Sequence, residues 1–227
     1  MISVVIPTLN AAATLAGCFD SLIPAAVQGL VREVIVVDGG STDDTRAIAD
    51  AAGARFLESE RGRGQQLAAG ARITRGEWLL FLHADTALES GWEAEVRSFL
   101  ERQILEKPKA AAFRFALDDF SARARWLERF VALRCRIFAL PYGDQGLLIS
   151  RRLYQMLGGY RAMPLMEDVD LVRRIGRRRL ALLRVRAVTS AKKFRAHGYL
   201  RRSARNLLIL FLYVLRVPVR VLTDIYK

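Results

Sequence analysis

Two stretches decide the reading of this chain: Ser3-Val4-Val5-Ile6-Pro7-Thr8-Leu9-Asn10, and further on Glu33-Val34-Ile35-Val36-Val37-Asp38-Gly39-Gly40-Ser41-Thr42-Asp43-Asp44. Each is a short, β-branched apolar run that stops abruptly at turn-forming polar residues, the pattern of a strand buried on both faces. The spacing predicts strands over residues 3–7 and 33–37. Between them Asn10 stands where it can cap a helix over about 11–27, with Leu15, Phe19, Leu22 and Ile23 on one stripe. After the second run, two glycines permit a tight turn and Ser41, Thr42, Asp43 and Asp44 supply caps for a helix over 45–52.

Working outward, residues 55–58 read as a third strand. The basic loop Arg61-Gly62-Arg63-Gly64 leads into a helix over about 65–74, and a fourth strand over 77–82 ends at His83-Ala84-Asp85. Strands alternating with helices at this spacing specify an α/β fold: a mostly parallel, Rossmann-like sheet flanked by helices. In such sheets ligands sit beyond the carboxyl ends of the strands. Pro7, Thr8 and Asn10 fall there after strand one, Asp38 after strand two, and His83 and Asp85 after strand four. The dinucleotide fingerprint and the Walker-type phosphate loop are both absent, which disfavours a dehydrogenase or a nucleoside triphosphatase.

Composition bounds the rest. The 227 residues are 52% hydrophobic and 26% charged, enough apolar material for a core and too much for disorder. Cys18 and Cys135 are too far apart for a metal knuckle and too few for a disulfide framework, which fits a reducing cytosol. The start of the chain has no basic lead-in, so no secretory leader is expected. The longest apolar run, 207–215, is far short of the ~20 residues that span a bilayer.

Charge is unevenly placed. The net charge is +13, yet residues 1–110 carry 11 basic and 15 acidic residues and residues 111–227 carry 25 and 8. A basic half of this kind suits a polyanionic partner, whether a phosphorylated substrate, an anionic lipid or nucleic acid, and it also suits a solubilising surface. No nucleic-acid reader motif accompanies it, so no nucleic acid is expected as partner.

Carboxylates are scarce after residue 110, and the few present stand out. Asp144 lies in Tyr142-Gly143-Asp144-Gln145-Gly146, just before a strand over 147–150. Glu167, Asp168 and Asp170 open a helix over about 167–178, where acids complement the dipole and cap free amides. That structural role is the expectation for Asp170. Glu167 and Asp168 read as functional, because a Gly158-Gly159-Tyr160 turn and Pro164 deliver them from a loop beside a basic region. Asp85 reads as a divalent-cation ligand, and His83 either as a second ligand or as a packed side chain. His197 reads as an incidental surface residue or a metal or phosphate contact.

Val4-Val5-Ile6-Pro7-Thr8-Leu9-Asn10, Val36-Val37-Asp38-Gly39-Gly40-Ser41-Thr42-Asp43, Phe81-Leu82-His83-Ala84-Asp85 and Glu167-Asp168 together resemble the ordered motifs of family 2 glycosyltransferases with the GT-A fold. The resemblance covers roughly residues 1–190, and details such as Tyr142-Gly143-Asp144-Gln145-Gly146 are similar to a small soluble bacterial subgroup. It implies a GT-A domain over 1–190, with a nucleotide-sugar-binding half to 110 and an acceptor and catalytic half over 111–190. Residues 191–227 would then be a basic C-terminal helical extension. It implies a nucleotide-diphosphate-sugar donor, with a UDP-sugar foremost, a Mn²⁺ or Mg²⁺ ion, and inverting transfer to an acceptor hydroxyl.

Roles follow by resemblance. Thr8 and Asp38 would hold base and ribose, and Arg61, Arg63 and Gln66 would approach the base or diphosphate. Asp85 would ligate the metal, Asp168 would be the base and Glu167 would orient the acceptor. Lys192, Lys193 or Arg195 would steady the leaving diphosphate. Two departures stand out: His83 occupies the first position of the usual Asp-x-Asp, and Ala68 replaces an Asn that such helices often carry. A sugar-nucleotide nucleotidyltransferase is the alternative enzyme, but Leu9–Thr14 lacks the glycine-rich triphosphate loop it needs.

A helix over about 121–140 carries Trp126, Phe130, Leu133 and Ile137 on one stripe, with Arg123, Arg125, Arg129, Arg134 and Arg136 over much of the remainder. The terminal segment is similar, with Arg201, Arg202 and Arg205 before the apolar run and Arg216 and Arg220 after it. Two readings fit: both helices pack onto the core with their arginines solvated, or they bind an anionic membrane surface as cytoplasmic peripheral elements that meet a lipid-linked acceptor.

Overall fold

A computed structural model describes residues 1–103 and 109–226, apart from the side chains of Lys193, His197 and Tyr226. The first half follows the predicted alternation: β1 (Ile2–Thr8), α1 (Ala12–Asp20), α2 (Ile23–Val27), β2 (Val31–Asp38), α3 (Thr45–Ala51), β3 (Arg55–Glu58), α4 (Arg63–Ile73) and β4 (Trp78–Phe81). The second half comprises β5 (Thr86–Leu88), α5 (Trp92–Gln103), β6 (Ala110–Leu117), α6 (Ala122–Phe138), β7 (Leu147–Ser150), α7 (Arg151–Met156), α8 (Glu167–Ile175), β8 (Leu180–Thr189), α9 (Lys192–His197), α10 (Tyr199–Val214) and α11 (Val219–Tyr226).

The strands form one sheet in the order β3-β2-β1-β4-β7-β6-β8-β5. β1 pairs in parallel with β2 and β4, and β2 with β3. β7 then enters antiparallel between β4 and β6, β8 runs parallel to β6, and β5 closes the edge antiparallel to β8. The β1–β4 half is the parallel sheet the sequence predicts, while the second half is mixed.

Period-two alternation splits the core into two layers. Val4, Ile6 and Val36 point to the layer that α1, α2 and α5 fill with Leu15, Phe19, Trp92 and Val96. Val5, Ile35 and Val37 point to the other, filled by Leu67 of α4, Leu153 of α7 and Leu171 of α8. α4 lies so close that a Cβ on Gly70 would come 2.5 Å from Val5 Cγ1 and 2.8 Å from Val37 Cγ2. Both cysteines are buried and free.

Pro7 does not stop strand one, which runs on to Thr8. The β1–β4 ladder ends at Val5, so the amide proton Pro7 lacks falls past the last bond on that side. The helix expected over 11–27 breaks at Ser21–Leu22, where Pro24 in the first turn of α2 cannot continue an upstream helix, and Ile23 is turned to solvent. Asn10 is not the cap of α1. It takes up φ +51°, and its Oδ1 accepts from the Thr42 amide. The free amides of α1 are met from across the loop instead, Ala11 by Thr45 Oγ1 and Ala12 by Asp43 Oδ2.

The helix expected over 167–178 ends at Ile175, where Gly176 at φ +76° turns the chain into a 3-10 turn, Arg177–Arg179. Of the two readings of the α6 stripe, packing onto the core is not met: Trp126, Phe130, Leu133 and Ile137 are exposed, whereas Ala124, Val131 and Cys135 pack against β6 and α9. α10 and α11 pack through Ile209 and Leu222 onto Leu165, in the loop that leads to Glu167. No helix among the described residues is long and apolar enough to cross a membrane.

The contact at Gly70 sets a test of the two-layer packing. Helix propensity alone predicts that Gly70→Ala gains about 1 kcal/mol. The overlap with Val5 and Val37 reverses the sign, and a net loss of about 1–2 kcal/mol is expected, read as a lower urea midpoint at unchanged m-value.

Candidate active site

The carboxyl ends of β1, β2 and β4 open on one edge of the sheet, and contacts run along it without interruption. Thr8 lies opposite Asp38 in the β1–β2 register. Asp38 is buried, and its carboxylate accepts from Thr8 Oγ1 at 2.8 Å, Ser41 Oγ at 2.5 Å, the Ser41 amide at 2.7 Å and the Gly40 amide at 3.0 Å. Burial by itself would raise its pKa, but the Ser41, Thr8 and Gly40 bonds outweigh it and hold the group below the usual carboxylate range. Asp38 therefore shapes the loop, with four donors already on its two oxygens.

Gln66 has a similar internal task. Its buried amide donates to the carbonyls of Thr8 and Val37 at 2.8 and 2.7 Å, bridging the paired ends of β1 and β2. A Cβ on Gly39 would meet Gln66 and, at 3.4 Å, the Cα of Arg61, so the basic loop crosses directly over the Asp38 turn. Arg61 is exposed there. Gly64, at the start of α4, sits where a Cβ would strike the Arg161 and Met163 backbone, which locks this loop to the segment before α8.

Arg63 crosses the same gap, its Nε 3.1 Å from Glu167 Oε1. Glu167 is 1% exposed, and its second oxygen, Oε2, is enclosed with no partner. Burial pushes its pKa up to about 7, opposed by Arg63 and reinforced by Asp168. Met166, held at φ +64°, starts α8 and aims the acids inward. Asp170 is not a helix cap as expected. It pairs with Arg161 at 3.0 Å and Arg174 at 2.6 Å, and Arg174 reaches on to the carbonyls of Leu157 and Gly159. This clamp fixes the Gly158–Tyr160 turn, and Tyr160 stacks edge-on against Phe81 at 4.8 Å beneath the acids.

Asp168 is half-buried. Its Oδ2 accepts from the Gly143 amide at 2.7 Å and its Oδ1 from the Val169 amide at 2.7 Å. A Cβ on Gly143 would lie 2.7 Å from His83 Nε2 and 3.3 Å from Asp168 Oδ2, so the β4 turn and the α8 acid meet across one glycine. Asp144, next in the chain, has its Oδ1 enclosed without a partner. Its pKa is raised to about 6 by burial, opposed by Arg134 and reinforced by the charges of Asp168 and Asp85. Arg134 stacks on the Tyr142 ring at 3.6 Å and donates to Leu140, while Gln145 ties the turn to Phe113.

On the far side, the Asp85 carbonyl accepts from the Ser190 amide, and Thr86 and Thr189 share a hydroxyl bond of 2.8 Å. α9 starts here, which brings exposed Lys192 to the Asp85 turn. The side chains of Lys193 and His197 lie outside the described residues. Among those described, no three His, Cys, Asp or Glu side chains form a complete metal cage. The enclosed Asp144 Oδ1 lies within reach of the charges of Asp85 and Asp168.

The structure thus brings Thr8, Asp38, Arg61, Arg63, His83, Asp85, Glu167, Asp168 and Lys192 to one rim. It commits Gln66 and Pro7 to the interior, and Asn10 to the turn at Thr42. Two depressions flank the rim, one of about 380 Å³ between Asp38, Arg46 and Phe56 and one of about 700 Å³ between α4 and the Gly158–Ala162 turn. Asp144 and Gly143 join this rim without a role assigned to them from the sequence. The scarcity of acids after residue 110 was the signal for Asp144.

Residues 3–104 match the family model described as Glycosyl transferase family 2. Glucosyl-3-phosphoglycerate synthase of Mycobacterium tuberculosis H37Rv is 42% identical over 93 residues, 37% of this chain and 28% of that protein. The PGL/p-HBAD biosynthesis glycosyltransferase of Mycobacterium bovis BCG Pasteur is 38% identical over 108 residues, 44% of this chain and 41% of that one. The matched segments therefore span less than half of these relatives' lengths. The crystal structure of the Mycobacterium tuberculosis synthase with Mn²⁺ and UDP-glucose superposes with a TM-score of 0.61 and 25% identity, covering 92% of this chain and 78% of that one. TarS 1-349 of S. aureus in complex with UDP-GlcNAc, at 17% identity, shares the fold with a TM-score of 0.65 over 83% of this chain and 58% of that one. The fold is GT-A.

The state of Glu167 sets a pH test. Its pKa is about 7 in the folded chain against an ordinary 4.5, so between these values the folded state binds the extra proton. Stability should fall as pH rises through that window. Glu167→Gln removes the slope: the variant is expected to be more stable at pH 8, by up to about 3 kcal/mol, with the gain vanishing near pH 5 in thermal melts.

Proposed function

We propose, on the match of residues 3–104 to the glycosyl transferase family 2 model, that the chain transfers a sugar from a nucleotide-diphosphate-sugar, foremost a UDP-sugar, to an acceptor hydroxyl with inversion. The observation that carries this reading is the convergence at Gly143 of the β4 turn, which bears His83 and Asp85, with Asp168 of α8. The β4 turn would then supply the cation ligand and α8 the base, two elements that meet at this glycine.

The donor lies along the rim, its base and ribose against Thr8 and the Asp38 turn and its diphosphate between the Arg61–Gly64 loop and Asp85. The fully bonded Asp38 carboxylate argues that the turn's backbone and Ser41, more than the carboxylate oxygens, meet the nucleoside. The Mycobacterium tuberculosis synthase is crystallised with Mg²⁺ and UDP and with Mn²⁺ and UDP-glucose. In this chain Asp85 and His83 would hold such an ion, with Asp144 close by. Bound there, a divalent cation offsets the charge that gathers on the diphosphate. Lys192 and Arg63 add positive charge on the same side.

Asp168 takes the proton of the acceptor hydroxyl as that oxygen bonds to the anomeric carbon and the diphosphate leaves with the electron pair of the breaking C–O bond. The Gly143 and Val169 amides hold the carboxylate in place for this, since a base works only within hydrogen-bond reach of its proton. Glu167, tied to Arg63, couples the donor loop to the base and orients the acceptor. For the acceptor the reading is an alcohol carried on a lipid, supported by the basic and apolar helix faces that lead into the Gly143 turn.

Calorimetry with Mn²⁺ and UDP-, GDP- and TDP-sugars tests the donor, with UDP-sugars expected to bind tightest. Asp168→Asn should keep donor binding and lose about 10²–10⁴-fold in transfer; transfer at the wild-type rate would remove the base assignment. Asp85→Ala should abolish the Mn²⁺-dependent part of binding. Gly143→Ala, which pushes His83 and Asp168 apart, is expected to lower kcat by about 10²-fold with a much smaller change in donor affinity.

A further inference from the structure

The outer face of α6 is an amphipathic surface left largely open by the described residues. Trp126 is 71% exposed, and Phe130, Leu133 and Ile137 are exposed with it. At about 100° per residue these four fall within roughly 60° of arc, with Arg123 on one flank and Arg129 and Arg136 on the other. All three arginines are exposed. The acid of this helix is turned away: Glu128 pairs with Arg125 at 2.8 Å and accepts from the Leu117 amide. α10 packs beside α6, and its Leu207, Leu208 and Phe211 are likewise exposed.

Apolar patches of this extent mark an interaction site in a soluble fold. The charges choose the occupant. A second copy would bring arginines onto arginines, each chain carrying a net +13. An anionic bilayer offers a hydrocarbon boundary for the aromatic and aliphatic side chains and lipid phosphates for the flanking guanidinium groups, and it needs no matching shape.

We propose that the α6 face, with α10 alongside, seats the protein on an anionic membrane surface. Trp126 and Phe130 enter the headgroup–acyl boundary, and Arg123, Arg129 and Arg136 lie among the phosphates. On the same flank as Arg123, Arg134 stacks on Tyr142 one residue before Gly143. This seating rests on the helix face alone and holds independently of the transferase reading.

The test is co-sedimentation of the full chain with vesicles of phosphatidylcholine alone or mixed with phosphatidylglycerol, without donor or metal, at about 0.1 and 0.5 M salt. The expected result is at least tenfold stronger binding to the anionic vesicles, weakened by salt, with quenching of Trp126 fluorescence by brominated acyl chains. Trp126→Ser with Phe130→Ser should cut binding at least tenfold while the melting temperature holds, since both residues are exposed. Arg123→Glu with Arg129→Glu should do the same. Absence of vesicle binding, or binding unchanged in the double serine variant, would overturn the proposal. So would a dimer in light scattering that the serine variant dissociates. Vesicle binding retained by Asp168→Asn separates this surface from the chemistry.

Discussion

A backbone amide holds the site together. The Gly143 N–H donates to Asp168 Oδ2 across 2.7 Å, and it can do so only because residue 143 has no side chain. That bond joins the turn after α6 to the first turn of α8, and His83 of the β4 turn presses on the same glycine. Three segments far apart in the chain are thereby fixed to within van der Waals contact, and the charges of Asp85, Asp144 and Asp168 are gathered in an enclosure that burial makes electrostatically costly. Raised pKa values at Asp144 and Glu167 express that cost, as is common where acids are held ready for a cation or a proton.

Much of the surrounding structure serves this arrangement. Asp38 and Gln66 spend their polar groups internally, tying the ends of β1 and β2 together beneath the basic loop. Arg63 spans from that loop to Glu167, while Asp170 and Arg174 clamp the turn behind it. The helices of the basic segment are not loosely appended, because Ile209 and Leu222 brace Leu165 immediately before the acid pair.

The strand ends were legible because short β-branched runs closed by Pro, Gly and Asp have few other physical solutions. Thr8, Asp38 and Asp85 fell at the rim for that reason. Asn10 and Asp170 were misread as caps because a polar residue beside a helix start satisfies the local rule, whether or not a neighbouring loop or arginine claims it first. Two readings of the α6 stripe stayed open in the sequence, because a 3.6-residue period fixes which side chains share a face and says nothing of what that face meets. Here the small residues Ala124 and Cys135 allow close packing on β6, so the bulky stripe is left outside.

By itself the sequence determined the alternation of strands and helices, the parallel first half of the sheet, the family resemblance and the acids able to do chemistry. These follow from local periodicity and residue type, which act over a few positions. Tertiary structure decided that β7 enters antiparallel, that Gly143 couples His83 to Asp168, that Arg63 pairs with Glu167, and which side of α6 meets solvent. Each of those depends on contacts between residues far apart along the chain, whose outcome is set by packing and by competition for buried hydrogen-bonding groups, and no local pattern encodes it.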